Sequence, residues 1–125
     1  MLLDTNAISA WAKDDAGLLA MLPPDRTWYL PTIALGEYRY GLLKSIRRAE
    51  LEDWLDAIET SCVVLAADGD TARHYATLRR ESDAEPGQLP YHDLWIGALA
   101  LQHNIPIASR DGHFDKMPGV RRIGW

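Results

Sequence analysis

The sequence predicts an α/β domain of three layers, α/β/α, around a mostly parallel sheet. Short apolar, β-rich runs alternate along the chain with longer segments whose apolar residues recur at helical spacing, the pattern of β-α units. The 125 residues suit one domain, 1–125, with one core, and an apolar share of 47% suits a globular protein. No internal repeat or low-complexity tract interrupts that pattern.

The elements follow in order. Met1, Leu2 and Leu3 read as a short first strand. A helix is expected over residues 7–22, and Pro23-Pro24 stops it, because proline lacks an amide donor and clashes with the preceding turn. Thr27-Trp28-Tyr29-Leu30 reads as the second strand, ended by Pro31. Thr32 opens a helix to about residue 46. The next helix, over 49–59, carries Leu51, Trp54, Leu55 and Ile58 on one side. Residues 62–66 are β-rich and read as the third strand, and 68–82 as a helix. Glu85-Pro86-Gly87-Gln88-Leu89-Pro90 is the clearest loop. A helix over 91–103 and a strand over 105–109 follow. A short turn or helix at 112–117 precedes a last edge strand at 120–123.

The bulk properties narrow the function classes. No apolar run is long enough to span a bilayer. The first acid arrives at Asp4, with no basic leader and apolar signal region ahead of it. Cys62 is the only cysteine, so an internal disulfide is excluded and a buried, inert thiol is expected. On these points a cytoplasmic protein is expected. The net charge of −5 at first argues against nucleic acid. Local fields decide such binding, however, and acids gathered round a metal ion invert the local sign. Ten of the thirteen basic residues are arginine, in clusters at Arg39–Arg48, Arg73–Arg80 and Arg110–Arg122. Solvated helix faces with carboxylate partners are the plainer reading of each cluster.

Four acids fall where chemistry is expected. Ligand sites of open parallel sheets lie beyond the carboxyl ends of the strands. Asp4 follows the first strand, and Asp111 follows the strand over 105–109. Asp93 lies in the first turn of the helix after Pro90, and Glu37 in the first turns of the helix after Pro31. Asp93 shares a helix face with Ile96, Gly97 and Ala100, and Glu37 shares one with Ile33 and Gly41. An acid on such a face points toward the body of the protein, and the small residues leave space for another backbone, a metal or its waters. Each acid also has a local role open to it: Asp4 as a helix cap, Asp93 at a helix dipole, Asp111-Gly112 as a turn, Glu37 in solvent. Buried together, four carboxylates repel one another, and a divalent cation resolves that repulsion. Hard oxygen donors, with no Cys/His zinc spacing, favour Mg²⁺ or Mn²⁺. Such a site makes water nucleophilic and stabilises charge on a phosphodiester.

The motifs around these acids resemble those of the PIN-domain family, especially toxins of the VapC type. Leu3-Asp4-Thr5-Asn6 resembles the family's opening. Pro31 to Gly41, with Glu37 inside it, resembles the second motif. His92-Asp93-Leu94-Trp95-Ile96-Gly97-Ala98-Leu99-Ala100 resembles the third, and Ile107-Ala108-Ser109-Arg110-Asp111, followed by His113-Phe114, the fourth. The four motifs occur in order across nearly the whole chain. The resemblance implies a PIN-like fold and a Mg²⁺- or Mn²⁺-dependent endoribonuclease cleaving RNA, the toxin of a toxin–antitoxin pair. It implies that Asp4, Glu37, Asp93 and Asp111 hold the metal, that Ser109 offers a hydroxyl to an acid or phosphate, and that Asn6 steadies the site. Asp115 is a candidate fifth acid, with a cap or surface role as its alternative. The family is commonly dimeric and is inhibited by a cognate antitoxin.

Arg39 and Arg110 are candidate phosphate contacts, because arginine meets phosphate bidentately; their other role is to neutralise the acids. His92 is expected to face away from Asp93, since helical neighbours point about 100° apart. Trp11, Trp28, Trp54 and Trp95 are expected in the core or an interface. The helices between Thr32 and Glu59 offer apolar and basic groups for an antitoxin groove. Two other readings stand beside the nuclease. A haloacid-dehalogenase-type phosphatase would use Asp4 as nucleophile, but wants a second Asp where Asn6 stands. A non-catalytic PIN-like module would serve recognition or promoter control alone, with little reason to keep four acids together.

Overall fold

The computed structural model describes residues 1–22, 24–84 and 86–125. Pro23 and Glu85, on which part of the predicted helix stop and the start of the predicted loop fall, lie outside the described residues. The chain runs through β1 (Leu2–Leu3), α1 (Thr5–Trp11), α2 (Ala16–Met21), β2 (Tyr29–Pro31), α3 (Thr32–Leu42) and α4 (Arg48–Ser61). It continues through β3 (Val63–Leu65), α5 (Gly69–Ser82), α6 (Tyr91–His103), β4 (Ile107–Ala108), a 3₁₀ turn (Gly112–Lys116) and β5 (Arg122–Ile123).

The strands form one sheet in the order β3-β2-β1-β4-β5, with every neighbouring pair parallel. Successive strand residues point to opposite faces. Leu2 and Leu3 of the central strand are both fully buried, so helices cover both faces of the sheet, as expected of three layers. Leu30 and Ile107 on the flanking strands, with Ile8, Leu18, Leu55, Leu99 and Phe114, complete the centre of the core. The chain leaves β1 toward β2 and β3, then returns to lay β4 on the other side of β1. The order therefore reverses between β1 and β4, and a crevice opens at their carboxyl ends.

The predicted helix over 7–22 is two helices. Asp14 takes a left-handed backbone, φ 54°, which aspartate tolerates better than most residues. Asp15 then caps α2, its Oδ1 accepting from the amides of Gly17 and Leu18 at 3.0 and 3.1 Å. The helix from Thr32 ends at Leu42, short of residue 46, and Pro31 is both the last residue of β2 and the N-cap of α3. The helix over 91–103 stands as expected, closed by Asn104 in the left-handed region. The strands are shorter than the apolar runs that predicted them.

Trp28 is buried, Trp11 and Trp54 meet edge to face with centroids 6.1 Å apart, and Trp95 stacks on Tyr75 at 4.0 Å. Cys62 is half-buried, and burial pushes its thiol up. Among the described residues, no helix is long and apolar enough to cross a membrane.

Candidate active site

The crevice between β1 and β4 holds a cleft of about 350 Å³ lined by Asp4, Glu37, Asp93 and Asp111, together with Asn6 and His92. The four sequence-predicted acids are thus brought together from four segments. Asp4 is the first residue past β1 and caps α1, its Oδ1 accepting from the Ala7 amide at 2.8 Å. The cap and the place in the cleft therefore do not exclude each other. Asp93 lies in the first turn of α6, the helix end that favours an anion. Asp111 precedes the 3₁₀ turn and accepts from the His113 amide at 2.9 Å. Glu37 projects from α3.

Hydrogen bonds tie the acids to one another. Ser109, fully buried at the end of β4, donates from Oγ to Asp4 Oδ2 at 2.5 Å and accepts the Asp111 amide at 2.9 Å. One hydroxyl thus sets the spacing of two acids from different strands. Asn6 donates to the same Asp4 oxygen at 3.3 Å. Thr5 donates to Glu37 Oε2 at 2.8 Å and so couples α1 to α3. No spacing in the sequence points to this bond, which joins residues thirty-two positions apart.

Burial is deepest at two of the acids. Asp4 is 3% exposed and Asp93 6%. Burial pushes the Asp4 carboxyl up, against the lowering effect of its bonds from Ser109, Ala7 and Asn6, and the Asp93 charge adds to the rise. Burial likewise pushes Asp93 up, partly offset by His92 and His113 and reinforced by Asp111.

The imidazoles are the groups the sequence reading missed or turned the wrong way. His92 does not face away. Its Nδ1 lies 3.4 Å from Glu37 Oε1 and its Nε2 lies 3.2 Å from Asp93 Oδ1. At a helix start no preceding turn blocks its path, so neighbouring side chains can converge. His113 Nδ1 lies 3.1 Å from both Asp93 Oδ2 and Asp111 Oδ1. The Asp-x-His spacing ahead of a tight turn was the available signal. Asp93, Asp111 and His113 each offer a ligand atom within 4.8 Å of the others, a grouping that could hold a metal ion.

Four further expectations are corrected or refined. Arg39, two residues past Glu37 and so about 200° round the helix, pairs with Asp56 at 2.8 Å and Glu59 at 2.5 Å on α4, away from the cleft. Asp115 is not among the cleft residues; Arg122 holds it through two bonds of 2.9 and 2.7 Å. The space beside Gly97 is not left for a metal: a Cβ there would come within 2.7 Å of Met117 Sδ and 3.0 Å of Leu78 Cδ2. Gly97 serves packing on α6, whereas the space at Gly41 is open. Arg110 lies outside the acid cleft, bonded to Asp15 at 2.9 Å and stacked over Trp125.

An α/β/α domain with a five-stranded parallel sheet carries acids at its switch point, and the chain belongs to the PIN domain family, whose model matches residues 1–120. Its relatives lie in the VapC group. It is 30% identical to Ribonuclease VapC5 of Mycobacterium tuberculosis over 97% of this chain and 90% of that protein. It is 31% identical to VapC ribonuclease Y4jK of Sinorhizobium fredii over 89% of this chain and 86% of that protein. In fold it matches a chain of VapBC2 from Rickettsia felis, solved bound to a DNA fragment from its promoter. The TM-score is 0.86 at 21% identity, over 99% of this chain and 97% of that one.

Proposed function

We propose that the protein is a divalent-metal-dependent endoribonuclease, the toxin of a toxin–antitoxin pair, acting on RNA in the cytoplasm as one domain over residues 1–125. The observation that carries the reading is the meeting of Asp4, Glu37, Asp93 and Asp111 in one cleft at the reversal of strand order. The VapC names of the relatives supply the choice of RNA as substrate.

The donor set fits a hard cation. Carboxylate oxygens predominate, and burial pushes the two most buried acids up. Asp93 and Asp111, with Glu37 and the free capacity of Asp4 beside them, would hold Mg²⁺ or Mn²⁺, and His113 stands within reach as a nitrogen donor. The ion would supply Lewis-acid stabilisation of phosphodiester charge and a more acidic water. The chain's own residues do the positioning. Ser109 and Asn6 fix Asp4, and Thr5 fixes Glu37. His92, half-exposed at the mouth, bridges Glu37 and Asp93.

The phosphatase reading gains nothing from this geometry. Asp4 is buried and its oxygens already accept three hydrogen bonds, which makes it a poor nucleophile. Partners follow from the same reading: a cognate antitoxin, and a second copy of the chain as a homodimer.

The test is cleavage of labelled structured RNA by purified protein freed of any partner, with Mg²⁺ or Mn²⁺ and with chelator, beside Asp93→Asn. Cleavage that needs the metal and disappears in the variant is expected. Equal cleavage by parent and variant would trace the activity to a contaminant. Neither cleavage nor metal binding would leave a recognition module in place of an enzyme.

A further inference from the structure

Beside the acid cleft lies a second pocket of about 220 Å³, and Asn6 lines both, so the two adjoin across one side chain. Their chemistry is opposite. The cleft is walled by carboxylates. The pocket is walled by Lys13, Arg110, Ser9 and Trp125, with Asp15 as the one acidic side chain in its lining.

Arg110 is held from two sides. It donates to Asp15 Oδ2 at 2.9 Å, and its guanidinium lies 4.7 Å from the centre of the Trp125 ring. Asp15 is itself fixed, because its Oδ1 accepts the first amides of α2. Both of its oxygens are committed, so Asp15 orients the guanidinium and the pair is neutral. Lys13 is exposed and, among the described residues, makes no ion pair, so the lining side chains carry one cation beyond the Arg110–Asp15 pair. Trp125 packs on Gly17, where a Cβ would come within 3.2 Å of the ring. Its indole N–H is buried with no partner among the described residues, so packing and not a polar tether holds it there. Elsewhere arginines are spent on nearby carboxylates: Arg47, Arg48, Arg73, Arg80 and Arg122 each pair with one, and Arg39 with two.

A cleft of carboxylates repels every phosphate that does not meet a cation, so the phosphates flanking a bound one must be met by fixed cations. A guanidinium stacked on an aromatic face keeps its edges available for phosphate oxygens. We propose that this pocket is a substrate subsite: it binds a phosphate flanking the scissile one in single-stranded RNA, with Lys13 and Arg110 on its oxygens and Asn6 and Ser9 facing the ribose hydroxyl. The proposal rests on the ribonuclease reading for the word "scissile". The pocket's affinity for RNA can be measured without it.

The experiment titrates the full chain, in chelator, into a fluorescein-labelled single-stranded RNA of mixed sequence and follows anisotropy across a salt series. The variants are Lys13→Glu, Arg110→Ala, Asp93→Asn and, as a charge reversal outside the pocket, Lys116→Glu. Lys13 is exposed, so Lys13→Glu reports on the pocket even where Arg110→Ala, which abandons Asp15 and Trp125, disturbs the fold. Lys13→Glu and Arg110→Ala are expected to weaken binding about tenfold each and to lower the salt slope by about one. Lys116→Glu should do clearly less, and Asp93→Asn should bind at least as well as the parent. With Mg²⁺ or Mn²⁺ present, Lys13→Glu should raise KM and leave kcat near the parent's. Parent-like affinity and slope in Lys13→Glu, an equal loss in Lys116→Glu, or no RNA binding by the parent overturns the subsite; metal-dependent cleavage by the parent would still uphold the ribonuclease. Selective loss of binding in the pocket variants of a parent that cleaves nothing would uphold the RNA pocket and overturn the ribonuclease.

Discussion

On α4, Glu50 pairs with Arg47, Glu52 with Arg48, and Asp56 and Glu59 share Arg39. The hydrogen-bonded Arg47 guanidinium holds the Glu50 carboxyl below the usual range. In the cleft the pattern is reversed. Asp4 and Asp93 are buried, and among the described residues no lysine or arginine pairs with Asp4, Glu37, Asp93 or Asp111. Burial pushes both buried carboxyls up. An acid paired on the surface gains little and costs little. A buried acid without a cation costs the fold stability at neutral pH, and such a cost is kept where the group has work to do.

The largest expected effect separates these two regions by activity. Asp93→Asn should reduce metal-dependent RNA cleavage by more than about a hundredfold, since even groups that only support a metal ligand are worth about 10–100-fold. In chelator the same variant should melt no lower than the parent, because it removes a buried charge. A drop in melting temperature with cleavage retained would make Asp93 a structural acid. Next in size is Ser109→Ala. It takes one donor from buried Asp4 and the acceptor from the Asp111 amide. A loss of about 1–3 kcal/mol in denaturant unfolding is expected, with cleavage down about 10–100-fold. Full activity in that variant would mean the hydroxyl does not space the two acids.

The four acids were legible because strand ends and helix faces are local properties. Asp4 directly follows an apolar run, Asp111 stands three residues past the last apolar residue of another, and Asp93 sits on a face of Ile96, Gly97 and Ala100 that is buried. What the sequence did not show depends on which elements meet. Arg39 found its partners on α4, seventeen and twenty residues away, and no spacing on α3 foretells that. The smallness of Gly97 was visible, but its occupants, Met117 and Leu78, come from other elements. His92 was misread from ideal helix geometry at a helix start, where side chains have freedom that the interior denies them. The break at Asp14 and Asp15 was legible in principle, as a capping residue with a small-residue turn behind it.

A smaller effect sharpens the contrast through pH. A carboxyl pushed up in the folded state adds stability that is fully present below its unfolded pKa and is lost as pH rises through the raised folded value. Asp4 and Asp93 therefore penalise the fold at neutral pH and stop doing so in acid. Asp68, held low chiefly by the Thr71 amide, runs the other way: its contribution is present above its unfolded pKa and is lost as pH falls through the lowered value. In chelator, the melting advantage of Asp93→Asn over the parent should be greatest near neutrality and shrink as pH falls through the raised value. Added Mg²⁺ or Mn²⁺ should stabilise the parent and not the variant, by about 2.7 kcal/mol at a hundred times Kd. A pH-independent difference would show that the Asp93 carboxyl is not raised.

The smallest expected effect is on α4 itself. Glu59→Gln removes one of two carboxylates on Arg39 and leaves Asp56 in place. Both members of the Arg39–Glu59 pair remain about a third exposed, so water screens them. The loss should stay below about 1 kcal/mol and fade with added salt. RNA cleavage should be unchanged. If Glu59→Gln instead impaired cleavage while leaving stability intact, Arg39 would be acting on the substrate after all, and the division between the paired acids of the surface and the unpaired acids proposed to serve the chemistry would fail at its clearest boundary.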